Sequence, residues 1–283
     1  MDTHELITRN AAEVVTESEV EALADDPEGK RAYVGYEPSG VLHLGHMLTA
    51  TKLIELQEAG FEVTVLLADV HAYLNDKGTF AEIRETAETM KDQFIAYGLN
   101  EAQTTFVLGS EYQLDEEYTL DLHALELETT LSRAQRSMAE IQRGDHAKVS
   151  QMVYPLMQAL DIEYLDVDLA VGGLDQRKVH MLARETLPEL DYDVRPALHT
   201  PIIADLSSGR RQDGLKLRRD DLDGGHQGGY RDEDHRCLLP ADSRSGARRR
   251  RQRPREPGVT VVPVSRLPPG RQCRRRAARG VWR

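Results

Sequence analysis

Short apolar runs alternate with amphipathic stretches along the first two-thirds of the chain, and the alternation stops near residue 209. Ala32-Tyr33-Val34-Gly35-Tyr36 has the length and apolarity of a buried strand and is closed by the turn Glu37-Pro38-Ser39-Gly40. Leu48, Leu53, Ile54 and Leu56 form an apolar stripe that predicts a helix continuing to Ala59, with Gly60 as its stop. Phe61 to Ala68 reads as a second buried strand ending at Asp69. Strand, helix and strand in that order predict a parallel pair joined by a right-handed crossover. Phe80 to Tyr97 is a further amphipathic helix, and Thr104 to Gly109 a third strand. Residues 110–148 carry a helical pattern with no clear strand. They read as an insertion between two halves of a sheet or, equally, as a helical hairpin closing its own core. Val149 to Asp161 is helical with Pro155 inside it, which predicts a kink or a late start. Tyr164 to Val171 reads as a strand, Gln176 opens another helix, and Val194 to Ile203 supplies the last strand. Residues 2–28 read as helical. The fold predicted over 1–209 is α/β, a doubly wound parallel sheet with a helical insertion.

Candidate chemistry gathers at two junctions. The first runs from the strand at Tyr33 through the Gly40 turn into a helix carrying His43, Gly45 and His46. Unpaired amides and the positive end of a helix dipole make such a junction a phosphate site. Histidines three apart share a helix face and can donate to phosphate oxygens, and Gly45 between them leaves the backbone open to a flat ring. Paired histidines also serve as surface residues or zinc ligands, but no Cys or third His stands at metal spacing, so no metal site is expected. The second junction is Gly172-Gly173-Leu174-Asp175-Gln176. Ligands of a doubly wound sheet lie beyond the carboxyl ends of its strands. That rule brings Glu37, His43, His46, Asp69 and His71 to one edge. Tyr154, Gln158 and Asp161 share one face of their helix. Alone, that stripe reads as a solvated face; beside a second nucleotide-type junction it reads as part of a site.

Charge changes the picture in one respect. The net charge of −12 conceals two unlike parts, for residues 1–208 hold 15 Lys and Arg against 39 Asp and Glu, whereas 209–283 hold 21 against 9. An acidic, lysine-poor surface holds water and counterions, which points to a salt-adapted source. The chain lacks an apolar run long enough to cross a bilayer, and MDTHELITRN lacks a secretory pattern, so a soluble cytosolic protein is expected. Cys237 and Cys273 both lie in the basic part, with Trp282, and suggest no disulfide framework.

Several long blocks stand in order: AYVGYEPSGVLHLGH, LLADVHAYLNDKG and VYPLMQALDIEYLDVDLAVGGLDQRKVHMLARE. Over about residues 30–209 the chain resembles the class I aminoacyl-tRNA synthetases, in particular the archaeal and eukaryotic tyrosyl branch. The resemblance implies a Rossmann-like core, Mg2+-ATP as co-substrate, and L-tyrosine and tRNA(Tyr) as partners. It also implies a homodimer formed through the insertion. His43 and His46 match the catalytic pair. Gly35, Gly45, Gly172, Gly173 and Asp175 join them around ATP. Tyr33 and Asp161 match the residues that bond the substrate hydroxyl, and Glu37, Tyr154, Gln158 and Gln176 complete the tyrosine site. The tryptophan enzyme of the same subclass and a non-catalytic tyrosine- or RNA-binding relative remain alternatives.

The resemblance breaks after Gly209. A lysine-methionine-serine loop and a helical anticodon-recognising domain are implied there, but the chain continues Arg210-Arg211-Gln212-Asp213 into an Arg-rich stretch with almost no apolar period. Arg211-Gln212-Asp213 can be encoded CGG CAA GAT G, which becomes glycine-lysine-methionine when its first base is dropped. The same shift on Gly214 to Leu217 permits alanine and three serines. On His226 to Asp242 it permits a further segment of the kind the resemblance implies. Residues from about 210 are therefore expected to follow a shifted reading frame and to be disordered, with activity impaired; a genuine Arg-rich nucleic-acid-binding arm is the alternative.

Overall fold

A computed structural model describes residues 2–138 and 148–203. The expectations for the part after residue 209 lie outside the described residues. The sheet has six strands in the order β1-β6-β5-β2-β3-β4. Their spans are β1 Glu13–Val15, β2 Arg31–Tyr36, β3 Glu62–Leu67, β4 Thr104–Leu108, β5 Leu169–Gly173 and β6 Ala197–Thr200. All neighbours pair parallel except β1, which runs antiparallel to β6. The predicted doubly wound sheet is present, with strand order reversing between β2 and β5.

Strand alternation sends Tyr33, Leu66 and Ala170 into one core and Ala32, Val34, Val63, Val65 and Val171 into the other. Helices must therefore cover both faces, as parallel sheets require. Helix α3 (Leu44–Glu58) buries Ala50, Leu53 and Leu56 in the second core, against which Phe94 of α5 (Phe80–Tyr97) also packs. On the opposite face lie α8 (Ser150–Tyr164), α9 (Arg177–Thr186) and the insertion helices α6 (Glu116–Glu128) and α7 (Leu131–Met138). The insertion helices pack their inner faces on α8 rather than closing a core of their own, with Tyr118, Leu125, Ala134 and Met138 buried.

Three expectations need correction, and one helix was not anticipated. Residues 2–28 are not one helical region: α1 (Thr3–Thr8) and α2 (Glu17–Asp25) flank β1, which exists through its pairing with β6. Helix α4 (Asp69–Leu74) follows β3 directly. The strand expected from Tyr164 begins at Leu169 because α8 continues to Tyr164. Helix α8 also starts at Ser150, five residues before Pro155, so the late start is not found. The N-terminal segment is tied down by polar contacts: buried Lys52 donates to the carbonyls of Leu6 and Ile7, both at 3.1 Å. Arg9 and Asn10 donate to Glu55, one turn further along α3.

Candidate active site

The strand order reverses where β2 and β5 meet, and those two strands share only two paired positions, Ala32 with Leu169 and Tyr33 with Ala170. Beyond Tyr33 no further position of the two strands pairs, and a doubly wound sheet takes its ligand in the slot at this carboxyl edge. Tyr33 is buried and stands within electrostatic reach of Asp161, which raises its hydroxyl pKa together with the larger effect of burial. A Cβ on Gly35 would come within 2.8 Å of the Tyr33 hydroxyl, so Gly35 leaves that oxygen its room.

Asp161, at 0% exposure, forms the floor of the slot. Its Oδ1 accepts from the Tyr112 hydroxyl at 2.8 Å, Gln113 Nε2 at 2.8 Å and the Tyr118 hydroxyl at 3.0 Å. Its Oδ2 has no hydrogen-bond partner and lies 3.8 Å from His71 Nε2. Burial pushes the carboxyl up to about 7 against the pull of its three donors. Burial also lowers His71 to about 4, so its ring is neutral. His71 Nε2, Gln113 Oε1, Gln158 Oε1 and Asp161 Oδ2 are all buried without a hydrogen-bond partner. Each such atom costs about 1–3 kcal/mol when left unmade, so their clustering marks a place built for a polar ligand.

The α8 stripe is not a solvated face: Tyr154, Gln158 and Asp161 are 7%, 8% and 0% exposed. Tyr154 stands edge-on to His71 at 4.5 Å, and burial first and then nearby Glu37 push its hydroxyl pKa up. Glu37 accepts from Asn75 and lies 3.8 Å from Lys77. Gln158 donates to Gln176 at 3.1 Å, and Gln176 to Asp175 at 2.8 Å. This row links α8 to the turn that follows Gly172 and Gly173 at the end of β5.

His43 and His46 form a separate group at the start of α3. His43 is the extended N-cap residue rather than part of the helix, which begins at Leu44. The rings stack at 3.8 Å. His43 Nδ1 accepts from the Gly45 amide at 3.1 Å, and His46 Nδ1 from the His43 amide at 3.3 Å. With Nδ1 accepting, each ring carries a proton on Nε2, free to donate. Partial burial, and then the neighbouring His43, lower His46 to about 4. The Gly45 face is covered rather than open, for a Cβ there would meet the His43 ring at 3.0 Å.

Among the residues expected at this edge, Asp69 is diverted. It accepts from the Val70 and Ser110 amides at 3.0 and 2.8 Å, which fixes the end of β3 to the end of β4. Tyr112, Gln113 and Tyr118 were not among the candidates. Tyr118 and Asp121 share the spacing of Asp161 and Tyr164, but that spacing shows no contact by itself and leaves Tyr112 and Gln113 unmarked. Among the described residues no group of three His, Cys, Asp or Glu side chains is placed to hold a metal. Nor is any helix there long and apolar enough to cross a membrane.

The sequence pattern of the family described as tRNA synthetases class I (W and Y) matches residues 27–211. A tyrosine–tRNA ligase of Halorubrum lacusprofundi is 77% identical over 210 residues, covering 74% of this chain and 64% of that protein. That of Halobacterium salinarum is 74% identical over 209 residues, with the same coverage. Both come from halophilic archaea, in keeping with the acid-rich charge balance of residues 1–208. The crystal structure of an Archaeoglobus fulgidus tyrosyl-tRNA synthetase complexed with L-tyrosine superposes with a TM-score of 0.71 at 59% identity. It covers 77% of this chain and 67% of that one. The chain thus spans 64% of the length of these two curated relatives.

Proposed function

We propose, since this chain belongs to the class I tRNA synthetase family of the tryptophan and tyrosine enzymes, that residues 1–209 are the catalytic core of a tyrosine–tRNA ligase. The carrying observation is Asp161, a buried carboxyl with one unpartnered oxygen, within electrostatic reach of the Tyr33 hydroxyl. A substrate phenol can donate to Asp161 and accept from Tyr33; an unsubstituted ring leaves both groups unpaired. Tyr154, Glu37, Gln158 and Gln176 then take the amino group, as the identity to tyrosine–tRNA ligases supports.

The chemistry has two steps. The tyrosine carboxylate attacks the α-phosphate of ATP, giving tyrosyl-adenylate and pyrophosphate. The 3′-terminal ribose of tRNA(Tyr) then displaces AMP and takes the acyl group. Neither step needs a side-chain nucleophile. The imidazoles of His43 and His46 donate from Nε2 to phosphate oxygens as charge builds on them, while Gly35, Gly45, Gly172, Gly173 and Asp175 shape the nucleotide's bed. Mg2+ enters on the triphosphate. A second copy of the chain docks on the outer face of the insertion, where Leu120, Leu127 and Leu131 are 61%, 86% and 62% exposed.

The family match ends at residue 211, where the frame change was inferred. That end is compatible with either reading, and the shifted codons of residues 211–217 and 226–242 favour a changed frame over a genuine basic arm. Sequencing the gene across codon 210 tests it, and an unambiguous single frame removes it. Calorimetric titration with L-tyrosine, L-tryptophan and L-phenylalanine tests the function. Saturable uptake of tyrosine alone is expected. Preference for tryptophan, or uptake of none, overturns the assignment. Tyrosine-dependent exchange of pyrophosphate into ATP is expected to be weak in the chain as it stands and strong once the frame is restored. Tyrosine uptake without exchange in either form favours a non-catalytic binding protein.

A further inference from the structure

Asp161 does not face the slot unaided. Helices α6 and α8 exchange tyrosine–aspartate bonds reciprocally. Tyr118 of α6 donates to Asp161 of α8 at 3.0 Å, and Tyr164 of α8 donates to Asp121 of α6 at 2.9 Å. Each helix offers one tyrosine and one aspartate three residues apart, so a single turn of one meets a single turn of the other. Tyr192 adds a second hydroxyl to Asp121. The rings pack as well: Tyr118 and Tyr164 stand 4.8 Å apart at 67°, Tyr112 and Tyr118 5.6 Å apart at 76°. The Tyr118 proton is shared with the Met157 carbonyl at 2.9 Å, which leaves Tyr112 and Gln113 the firmer donors to Asp161.

A carboxylate with one oxygen held by three donors cannot swing without breaking all three bonds. We infer that Tyr112 and Tyr118 are positioning residues that set the specificity of the slot, because by occupying Oδ1 of Asp161 they leave Oδ2 as its one acceptor for a ring-borne hydroxyl. The inference rests on the reading of the slot as a tyrosine site. A purely structural role for these two buried tyrosines changes stability alone. A positioning role also changes which ring is accepted and at what pH.

The groups facing Asp161 are Tyr33 of β2, His71 of α4, Tyr112 and Gln113 after β4, Tyr118 of α6 and Tyr154 of α8. The tyrosines titrate far above neutrality and burial keeps His71 neutral, so Asp161 is the group that changes charge near pH 7. Tyrosine binds best to the ionised carboxylate, so affinity falls as pH drops through that range. Each donor removed raises the pKa of Asp161 and moves the fall to higher pH.

Binding of L-tyrosine, with L-phenylalanine measured by competition, is followed calorimetrically between pH 6 and 9. The full chain is compared with its Tyr112→Phe and Tyr118→Phe variants, folding being checked by circular dichroism. Tyr112→Phe is expected to lower the tyrosine-to-phenylalanine affinity ratio about tenfold, the loss of one charge-assisted hydrogen bond, and to raise the pH midpoint. Tyr118→Phe is expected to act in the same direction with a smaller change. Should Tyr112→Phe not fold, Tyr118→Phe decides. Variants that keep the parent's ratio and midpoint overturn the inference, whatever their stability. A parent that takes up no tyrosine overturns the reading of the slot, and this inference with it.

Discussion

Asp161 is wholly buried and takes its donors from residues 43 to 49 positions away, whereas His43 is exposed and bonded to an amide two residues along. Recognition of a ring hydroxyl needs a desolvated polar group, since water at the site erases the difference between tyrosine and phenylalanine. Such a group survives burial only when several elements share the work of satisfying it. Stabilising a phosphate as charge builds needs donors that already point outward. Capping bonds within one turn are enough to set the tautomers of His43 and His46. Selectivity in this molecule is assembled from the whole fold, and phosphate chemistry from a single turn.

The largest effect that separates the two regions is expected from Asp161→Asn. It keeps the shape but replaces the carboxylate with a neutral amide, and tyrosine affinity should fall about 100-fold, the cost of about 3 kcal/mol for a charged hydrogen bond. Calorimetry at pH 8 reads this directly. His43→Ala or His46→Ala should instead slow tyrosine-dependent pyrophosphate exchange about 100-fold, the usual loss for one preorganised donor, while tyrosine affinity stays within about twofold. A joint loss of affinity would show that the two regions are not separable. Gly35→Ala places a methyl group against the Tyr33 hydroxyl and is expected to weaken tyrosine about tenfold, by about 1.4 kcal/mol, without altering the thermal midpoint of the unliganded chain.

A separate effect concerns acid stability. His71 and His180 are held neutral to about pH 4 and 3, chiefly by burial, while the unfolded chain takes up their protons near 6.5. Their contribution is complete above pH 6.5 and lost as pH falls toward 4, at about 1.4 kcal/mol per pH unit for each ring. Asp161 acts in the opposite sense, since its folded pKa is raised: it favours the folded state below about pH 4 and loses that effect as pH rises to 7. His180→Asn should flatten the fall between pH 6.5 and 4 by about one proton, measured by urea unfolding at several pH values.

How much of this was legible in the sequence follows from the range of the contacts. The two strand–turn–helix junctions, α5 and the apolar β3 were readable because their patterns are contiguous. Strand β1 was not, since three residues carry no period and the pairing partners lie 182 to 186 positions away. Tyr33, Asp161, Tyr154, Gln158 and Gln176 were named, and the structure brings Tyr33 and Asp161 to one slot with Tyr154, and Gln158 to Gln176. Tyr112, Gln113 and Tyr118 escaped notice because nothing local marks a tyrosine that serves a carboxylate on another helix. The polar face of α8 was ambiguous for the same reason: its three residues look solvated until α4, α6 and the segment after β4 close over them.

The short ladder between β2 and β5 has a mechanical consequence. Six rungs join β2 to β3, but two join β2 to β5. The sheet is therefore stitched most loosely along the line its cargo must straddle, so a guest seated across that seam acts as a rivet. Amide protons of Ala32, Tyr33, Leu169 and Ala170 should exchange more slowly once the rivet is in place, and equal rates with and without tyrosine would show that the seam holds by itself.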